Sequence, residues 1–162
     1  TLRLVDSQLG HKCRVELDLG DVPRVVCSSI RLKQVLTNLL LNASQAGNEK
    51  VEKRNTIRVA AAPGVEPGTV TITVSDTGCG MSEEQTELIF DPFYTTKPTG
   101  TGLGLAVSSQ IISHYRGKLT VQSALGEGTT FTIELPAVTK VQQAPARSSQ
   151  TPTERPRVCV MA

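Results

Sequence analysis

Between Thr69 and Ser75 the side chains alternate without a break, with Val70, Ile72 and Val74 on one side and Thr69, Thr71, Thr73 and Ser75 on the other. That two-residue period belongs to a strand buried on one face, so a second layer must cover it. The run stops at Asp76-Thr77-Gly78-Cys79-Gly80, a carboxylate at a strand end followed by two glycines. Upstream, a helical period offers the cover. At about 100° per residue, Leu32, Val35, Leu36, Leu39, Leu40, Ala43 and Ala46 form one apolar stripe. Ser28 or Ser29 is expected to cap this helix, and Gly47-Asn48 to stop it.

Other elements follow from the same signals. Cys13, Val15, Leu17 and Leu19 alternate within Lys12–Leu19, which reads as a half-buried strand. Thr56–Ala61 is a strand joined to Thr69–Ser75 through Pro63-Gly64-Val65-Glu66-Pro67-Gly68. Ser82 and Gln85 form a capping box for a short helix, and a longer helix spans 103–114. A hairpin, Leu119–Ser123 and Thr129–Leu135, turns through Ala124-Leu125-Gly126-Glu127-Gly128. Without strict βαβ alternation, the expected class is α+β, a two-layer sandwich rather than a doubly wound sheet. With no Trp, two Tyr and three Phe, its core must come from Leu, Ile, Val and Ala. The domain is expected to occupy residues 1–136. Residues 137–157, rich in Gln, Ser, Thr, Pro and Arg, read as a flexible linker. At 158–162 the chain turns apolar again, as if opening another domain.

Charge and composition remove several classes of function. Seventeen basic and fifteen acidic residues leave a net charge of +2, which argues against a nucleic-acid partner. No apolar run is long enough to span a bilayer, and no signal segment opens the chain, so no membrane contact is expected. A start at Thr1 rather than Met is expected of a piece of a longer protein. Cys13, Cys27, Cys79 and Cys159 include no C-x-x-C pair, and there are only two histidines, which disfavours zinc. Free thiols in a reducing cytoplasm are expected instead.

Four clusters carry chemistry. Asn38 and Asn42, one turn apart at the edge of the apolar stripe, are either amides satisfied by backbone groups or neutral oxygen donors for Mg²⁺. Asp76 either closes a plain Asp-Gly turn or, being acceptor-only when ionised, takes the exocyclic amine of adenine and repels guanine. Gly100-Thr101-Gly102-Leu103-Gly104-Leu105 opens the second long helix, where free N–H groups and the helix dipole hold phosphate. The run fits neither G-x-G-x-x-G nor the P-loop pattern. The fourth cluster, Ile89-Phe90-Asp91-Pro92-Phe93-Tyr94-Thr95-Thr96-Lys97, has the make-up of a lid, with Lys97 either a surface charge or a phosphate contact.

In order and spacing these clusters resemble the N, first glycine, F and second glycine boxes of histidine-kinase catalytic domains, the Bergerat-fold or GHKL superfamily. Gln34-Val35-Leu36-Thr37-Asn38-Leu39-Leu40-Leu41-Asn42-Ala43 resembles the N box, and Gly126-Glu127-Gly128-Thr129-Thr130-Phe131 the closing glycine motif. The likeness spans about residues 10–136; the short lid and Asn42-Ala43-Ser44-Gln45-Ala46 look most like the nitrogen-sensor branch. It implies a mixed, mostly antiparallel sheet covered on one face by about three helices. It also implies ATP and Mg²⁺ as cofactors. Asn42 would hold the metal with Asn38 assisting, the two forming the catalytic pair. Asp76 would bind adenine in a pocket shaped by Gly78 and Gly80. Lys97 and the run Gly100, Thr101, Gly102, Leu103 and Gly104 would meet the phosphates, and Thr129 or Thr130 would reach adenine through water. Related ATPases carry a Glu near the place of Asn38 that activates water; here ATP is expected to be kept for a protein nucleophile. Two departures stand out: Tyr115-Arg116-Gly117 where the family often has His-Gly-Gly, and Gln45 where some members carry Lys.

The family's acceptor histidine sits on a separate helical hairpin, and neither His11 nor His114 matches its setting. The resemblance therefore implies a catalytic module unable to phosphorylate itself, partnered by that dimerisation and phosphoacceptor domain and by a response regulator. A nucleotide-binding sensor or scaffold without transfer is the alternative, and a water-hydrolysing ATPase a third reading. The expected location is the cytoplasm, whether or not the parent protein is membrane-anchored. The segment Arg157–Met161 resembles the first strand of a receiver domain, as in a hybrid kinase.

Overall fold

The computed structural model describes residues 13–47, 55–98 and 100–138. In chain order they form β1 (Cys13–Leu19), α1 (Ser29–Gln45), β2 (Asn55–Pro63), β3 (Thr69–Asp76), α2 (Glu83–Leu88), α3 (Gly104–His114), β4 (Lys118–Ala124) and β5 (Gly128–Pro136). One sheet contains all five strands in the order β1-β2-β3-β5-β4. β1 runs parallel to β2 and the remaining pairs are antiparallel. The helices lie on one face, giving the α+β sandwich the sequence implies. Among the described residues no helix is long and apolar enough to cross a membrane.

The period-two strands meet in phase. Val74 pairs with Val59 on one side and Phe131 on the other, and one step along the same face Asp76 pairs with Ile57 and Thr129. A slip of one residue would turn this whole set, Asp76 included, to the open face. Val35, Leu39, Leu40 and Ala43 of α1 close over Ile57, Val74, Ile133 and Leu135, while Ile112 of α3 and Leu119 of β4 complete the core. The Ser82–Gln85 capping box is complete, with both reciprocal hydrogen bonds formed.

Three expectations need correcting. Ser28 takes the N-cap backbone conformation of α1, but its hydroxyl makes no capping bond. The start of that helix therefore rests on burial of its apolar stripe. In β1 only Cys13 and Val15 are half-buried, whereas Leu17 and Leu19 are exposed, because this edge strand runs out past the helical layer. The domain also continues past Pro136: Ala137 donates to the Gly68 carbonyl at 2.7 Å and Val138 to that of Arg24 at 2.6 Å. The remainder of the expected linker and the terminal apolar run lie outside the described residues, as do His11 and Cys159.

The Tyr115-Arg116-Gly117 departure now has a structural meaning. α3 ends in a Schellman motif, with Gly117 N–H donating to Ile112 C=O at 3.0 Å and Arg116 N–H to Ser113 C=O at 2.9 Å. That motif puts the residue after the cap in the left-handed region, and here the residue is exposed Arg116 at φ 58°. A side chain there strains the backbone, which glycine would not. Arg116→Gly should therefore stabilise the domain by about 0.5–1 kcal/mol in urea unfolding; a loss of stability would mean that the arginine side chain contributes more than its backbone costs.

Candidate functional site

α1, the end of β3, the segment after α2 and the start of α3 enclose a cavity of about 480 Å³, within the range of small-molecule sites. Asn38 and Asn42 project into it from α1, on the edge beside the buried stripe. The Asn42 Oδ1 accepts from the Lys97 ammonium at 2.9 Å, and the same Nζ donates to Gln45 Oε1 at 2.7 Å. Lys97 thus faces inward and ties the lid segment to α1. Burial lowers its pKa, opposed by the Cys79 and Asp76 side chains.

Asp76 is the last residue of β3 and only 6% exposed. Its Oδ1 accepts the Gly78 N–H at 2.8 Å. Burial raises its pKa above the ordinary carboxylate value, and the backbone hydrogen bonds from Gly78 and Thr129, with the charge of Lys97, offset that only in part. Among the described residues no other acidic side chain lines the cavity. Gly78 stands just behind the wall, where a side chain would run into the carbonyl of Ala46. Its neighbour Cys79 donates its N–H to that carbonyl at 2.8 Å, so the glycine loop is sewn to the end of α1. Buried Asn55 braces the same junction: its Nδ2 donates to Ala43 C=O at 2.7 Å and its Oδ1 accepts from Thr77 N–H at 3.0 Å.

At the far side, Gly100, Thr101, Gly102 and Gly104 line the cavity where α3 begins. That helix has no side-chain cap and no acidic residue in its first turn, which leaves its N–H groups and the positive end of its dipole open to an anion. α2 is the opposite case, closed by its capping box with Glu83 and Glu84 in the first turn. Gly104 leaves room for the Asn38 amide, since a Cβ there would strike Asn38 Oδ1 and force that side chain to move. The lid is pinned at its base by Phe93 N–H donating to Gly102 C=O at 3.0 Å.

Three expected positions fall outside this space: Gly78, behind the wall, together with Thr130 and Leu103. Thr129 lines the cavity and its Oγ1 lies 2.9 Å from Ser123 Oγ, but Thr130, one residue on in β5, faces the other side of the sheet and donates to Ser75 Oγ at 3.0 Å. The period of two thus selects Thr129. Leu103 occupies the cap position of α3 outside the cavity. The sequence reading missed Gln45 as a partner of Lys97, and Ser108, whose hydroxyl receives the Asn38 amide at 3.1 Å. Its signal was spacing alone, one turn beyond Gly104. Of the apolar wall residues, Ile89 and Phe131 also belong to the hydrophobic core, and Met81 packs against it.

The donor set bears on metal binding. Among the described residues no cluster of three or more His, Cys, Asp or Glu could hold an ion. The cavity instead offers the neutral oxygen of Asn42, which already attracts a cation in the form of the Lys97 ammonium. Such a site fits Mg²⁺ arriving with phosphate oxygens and water, rather than a resident ion.

Comparison with known proteins agrees with this geometry. The family described as "Histidine kinase-, DNA gyrase B-, and HSP90-like ATPase" matches residues 27–139. The sensor histidine kinase ZraS of Salmonella typhimurium is 46% identical over 121 residues, which is 74% of this chain and 24% of ZraS. The structure of the mycobacterial sensor histidine kinase MprB superposes with a TM-score of 0.72 at 26% identity, covering 84% of this chain and 89% of that one. Full-length ShkA in complex with AMPPNP gives a TM-score of 0.72 at 27% identity, covering 83% and 28%. The chain thus spans about a quarter of the length of the curated relative ZraS. It belongs to the histidine kinase-, DNA gyrase B- and HSP90-like ATPase family, as a homologue of the catalytic ATP-binding domain of sensor histidine kinases.

Proposed function

We propose that this chain binds ATP with Mg²⁺ and presents the γ-phosphoryl group to a histidine on a separate helical dimerisation domain, as the catalytic module of a two-component sensor kinase. The observation that carries this reading is one cavity joining three unlike ends: a buried carboxylate, an amide-edged helix and an uncapped helix N-terminus. Asp76 would take the adenine amine and Thr129 would assist through its hydroxyl. Asn42 would hold the metal with Asn38 beside it, and the metal would supply charge neutralisation at the phosphates. Lys97, Gly100, Thr101, Gly102 and Gly104 would receive the phosphate oxygens. Because Asn42 Oδ1 now accepts from Lys97, the ammonium must leave that oxygen for a metal to take it, and phosphate is its natural next partner. Asn38 is no base and Asp76 belongs to the adenine end, so among the described residues no side chain of the cavity is placed to activate water at the phosphates. Attack is left to an incoming imidazole nitrogen, which forms the new N–P bond as ADP departs.

Because the phosphoryl donor is ATP, we place the module in the cytoplasm, upstream of a response regulator or receiver domain, with residues after the catalytic domain serving as a linker towards it. The scaffold alternative shares every binding contact and differs only in transfer.

Calorimetry with Mg²⁺ should show ATP binding, little GTP binding, and a large loss in Asp76→Asn. Supplying a phosphoacceptor hairpin should then yield phosphohistidine; binding without transfer would favour the scaffold. Lys97→Met should weaken ATP binding by about tenfold or more, the worth of a charge-assisted hydrogen bond, and weaken ADP binding less. Equal losses for both nucleotides would place Lys97 away from the terminal phosphate.

The raised pKa of Asp76 also sets a stability signature. A carboxyl whose folded pKa lies above its unfolded value favours folding at low pH, and that contribution is lost as pH rises through the folded pKa. Asp76→Asn should therefore melt above the wild type at pH about 7, with the gap closing as pH falls towards the ordinary carboxylate range. A wild type that melts higher at neutral pH would contradict this.

A further inference from the structure

We propose that Ser108 is a positioning residue that fixes the Asn38 amide with its oxygen towards the first turn of α3, so that Asn38 enters the site as a hydrogen-bond acceptor. This rests on the reading of the cavity as the Mg²⁺·ATP site. Ser108 lies in α3, one turn beyond Gly104, and is only 2% exposed. Its hydroxyl donates to the Gly104 carbonyl at 2.8 Å, which uses the one proton it has. What Ser108 Oγ offers α1 is therefore a lone pair, and only a donor can meet it favourably. Asn38 Nδ2 does so at 3.1 Å.

The chain of bonds settles the amide's orientation by chemistry. Were the amide turned over, its oxygen would face the serine lone pair in a part-buried contact between two acceptors, which is unfavourable. With Nδ2 committed to Ser108, Oδ1 lies against Gly104, where a side chain would collide with it. The absence of a side chain at Gly104 and the hydroxyl at Ser108 thus act on the same group, one making room for the oxygen and the other holding it there.

This orientation limits what Asn38 can contact. An amide oxygen beside the phosphate-receiving end of α3 repels phosphate oxygens directly. It suits a donor such as water carried by a hard cation, which keeps much of its hydration. Asn42, one turn further along α1, would take the cation itself. An Asn38 freed from Ser108 could instead turn its Nδ2 to phosphate, and ATP would then depend less on the metal. Ser108 in this way tunes metal dependence without touching nucleotide.

The test uses the chain as it is, with Ser108→Ala, Ser108→Cys (a poor acceptor of similar size) and Ser108→Thr (hydroxyl kept). In nucleotide-free protein, the Asn38 side-chain ¹⁵NH₂ resonances, assigned by their loss in Asn38→Asp, should shift and exchange faster in the Ala and Cys variants. They should stay near the wild-type positions in Ser108→Thr. The ratio of ATP affinity with Mg²⁺ to that with chelator should fall by about fivefold in Ala and Cys, the worth of one neutral hydrogen bond, and recover in Thr. Metal-free ADP affinity should hold. Unmoved Asn38 resonances in both Ala and Cys would overturn the proposal. An equal loss of metal-free ADP binding would also overturn it, by showing a merely structural role. If the wild type binds no nucleotide, the functional reading fails, and the resonance arm alone decides whether Ser108 fixes the amide.

Discussion

A carboxylate kept nearly dry at the end of a sheet is the constraint around which this domain is arranged. Ionised Asp76 loses hydration on burial, and its raised pKa registers that loss. Two backbone N–H groups offset part of it, one from Gly78 in the following turn and one from Thr129 across the strand pair. The Gly78 contact is local to the turn, whereas the Thr129 contact depends on the β3–β5 register, which also aligns Val74 with Phe131. The register that buries the core and the register that aims the carboxylate are the same, so neither can slip without the other.

From that fixed point the site is assembled by three junctions of different strength. Asn55 and the Cys79–Ala46 bond lock the glycine loop to the end of α1, the Asn55–Ala43 bond being buried. α1 meets α3 through the part-buried Asn38–Ser108 pair, beside Gly104, where the lack of a side chain leaves room for the Asn38 amide. The lid has the lightest hold, bonded at its base by Phe93 and Gly102 and at its tip by Lys97 on two neutral amide oxygens. Neutral acceptors hold an ammonium less firmly than an anion would. Phosphate can compete for Lys97 without disturbing the other two junctions.

Much of this was legible in the sequence because the signals were local. Alternation gave the strands, the apolar stripe gave α1, and Ser82 with Gln85 gave the start of α2. The departures have local causes too. An edge strand exposes Leu17 and Leu19 although its pattern reads as half-buried, since a period says which side a residue faces but not whether anything covers that side. Thr129 and Thr130 could not be separated until the strand phase was known. Gln45 and Ser108 were hidden for another reason: each acts through a partner far along the chain, Lys97 at 52 residues and Asn38 at 70. Arg116 was noticed only as a departure from a family pattern, and its meaning needed the left-handed backbone on which it sits.

In the proposed reading, one cavity holds adenine at Asp76 and phosphate at the start of α3, with the metal between them on Asn42. A crystal structure of this chain with Mg²⁺ and a non-hydrolysable ATP analogue tests it most directly. The expected result has the adenine amine on the Asp76 carboxylate, the metal on Asn42 Oδ1, and Lys97 moved from Asn42 to a phosphate oxygen. A nucleotide bound with its base away from Asp76, or with Lys97 still on Asn42, would contradict it.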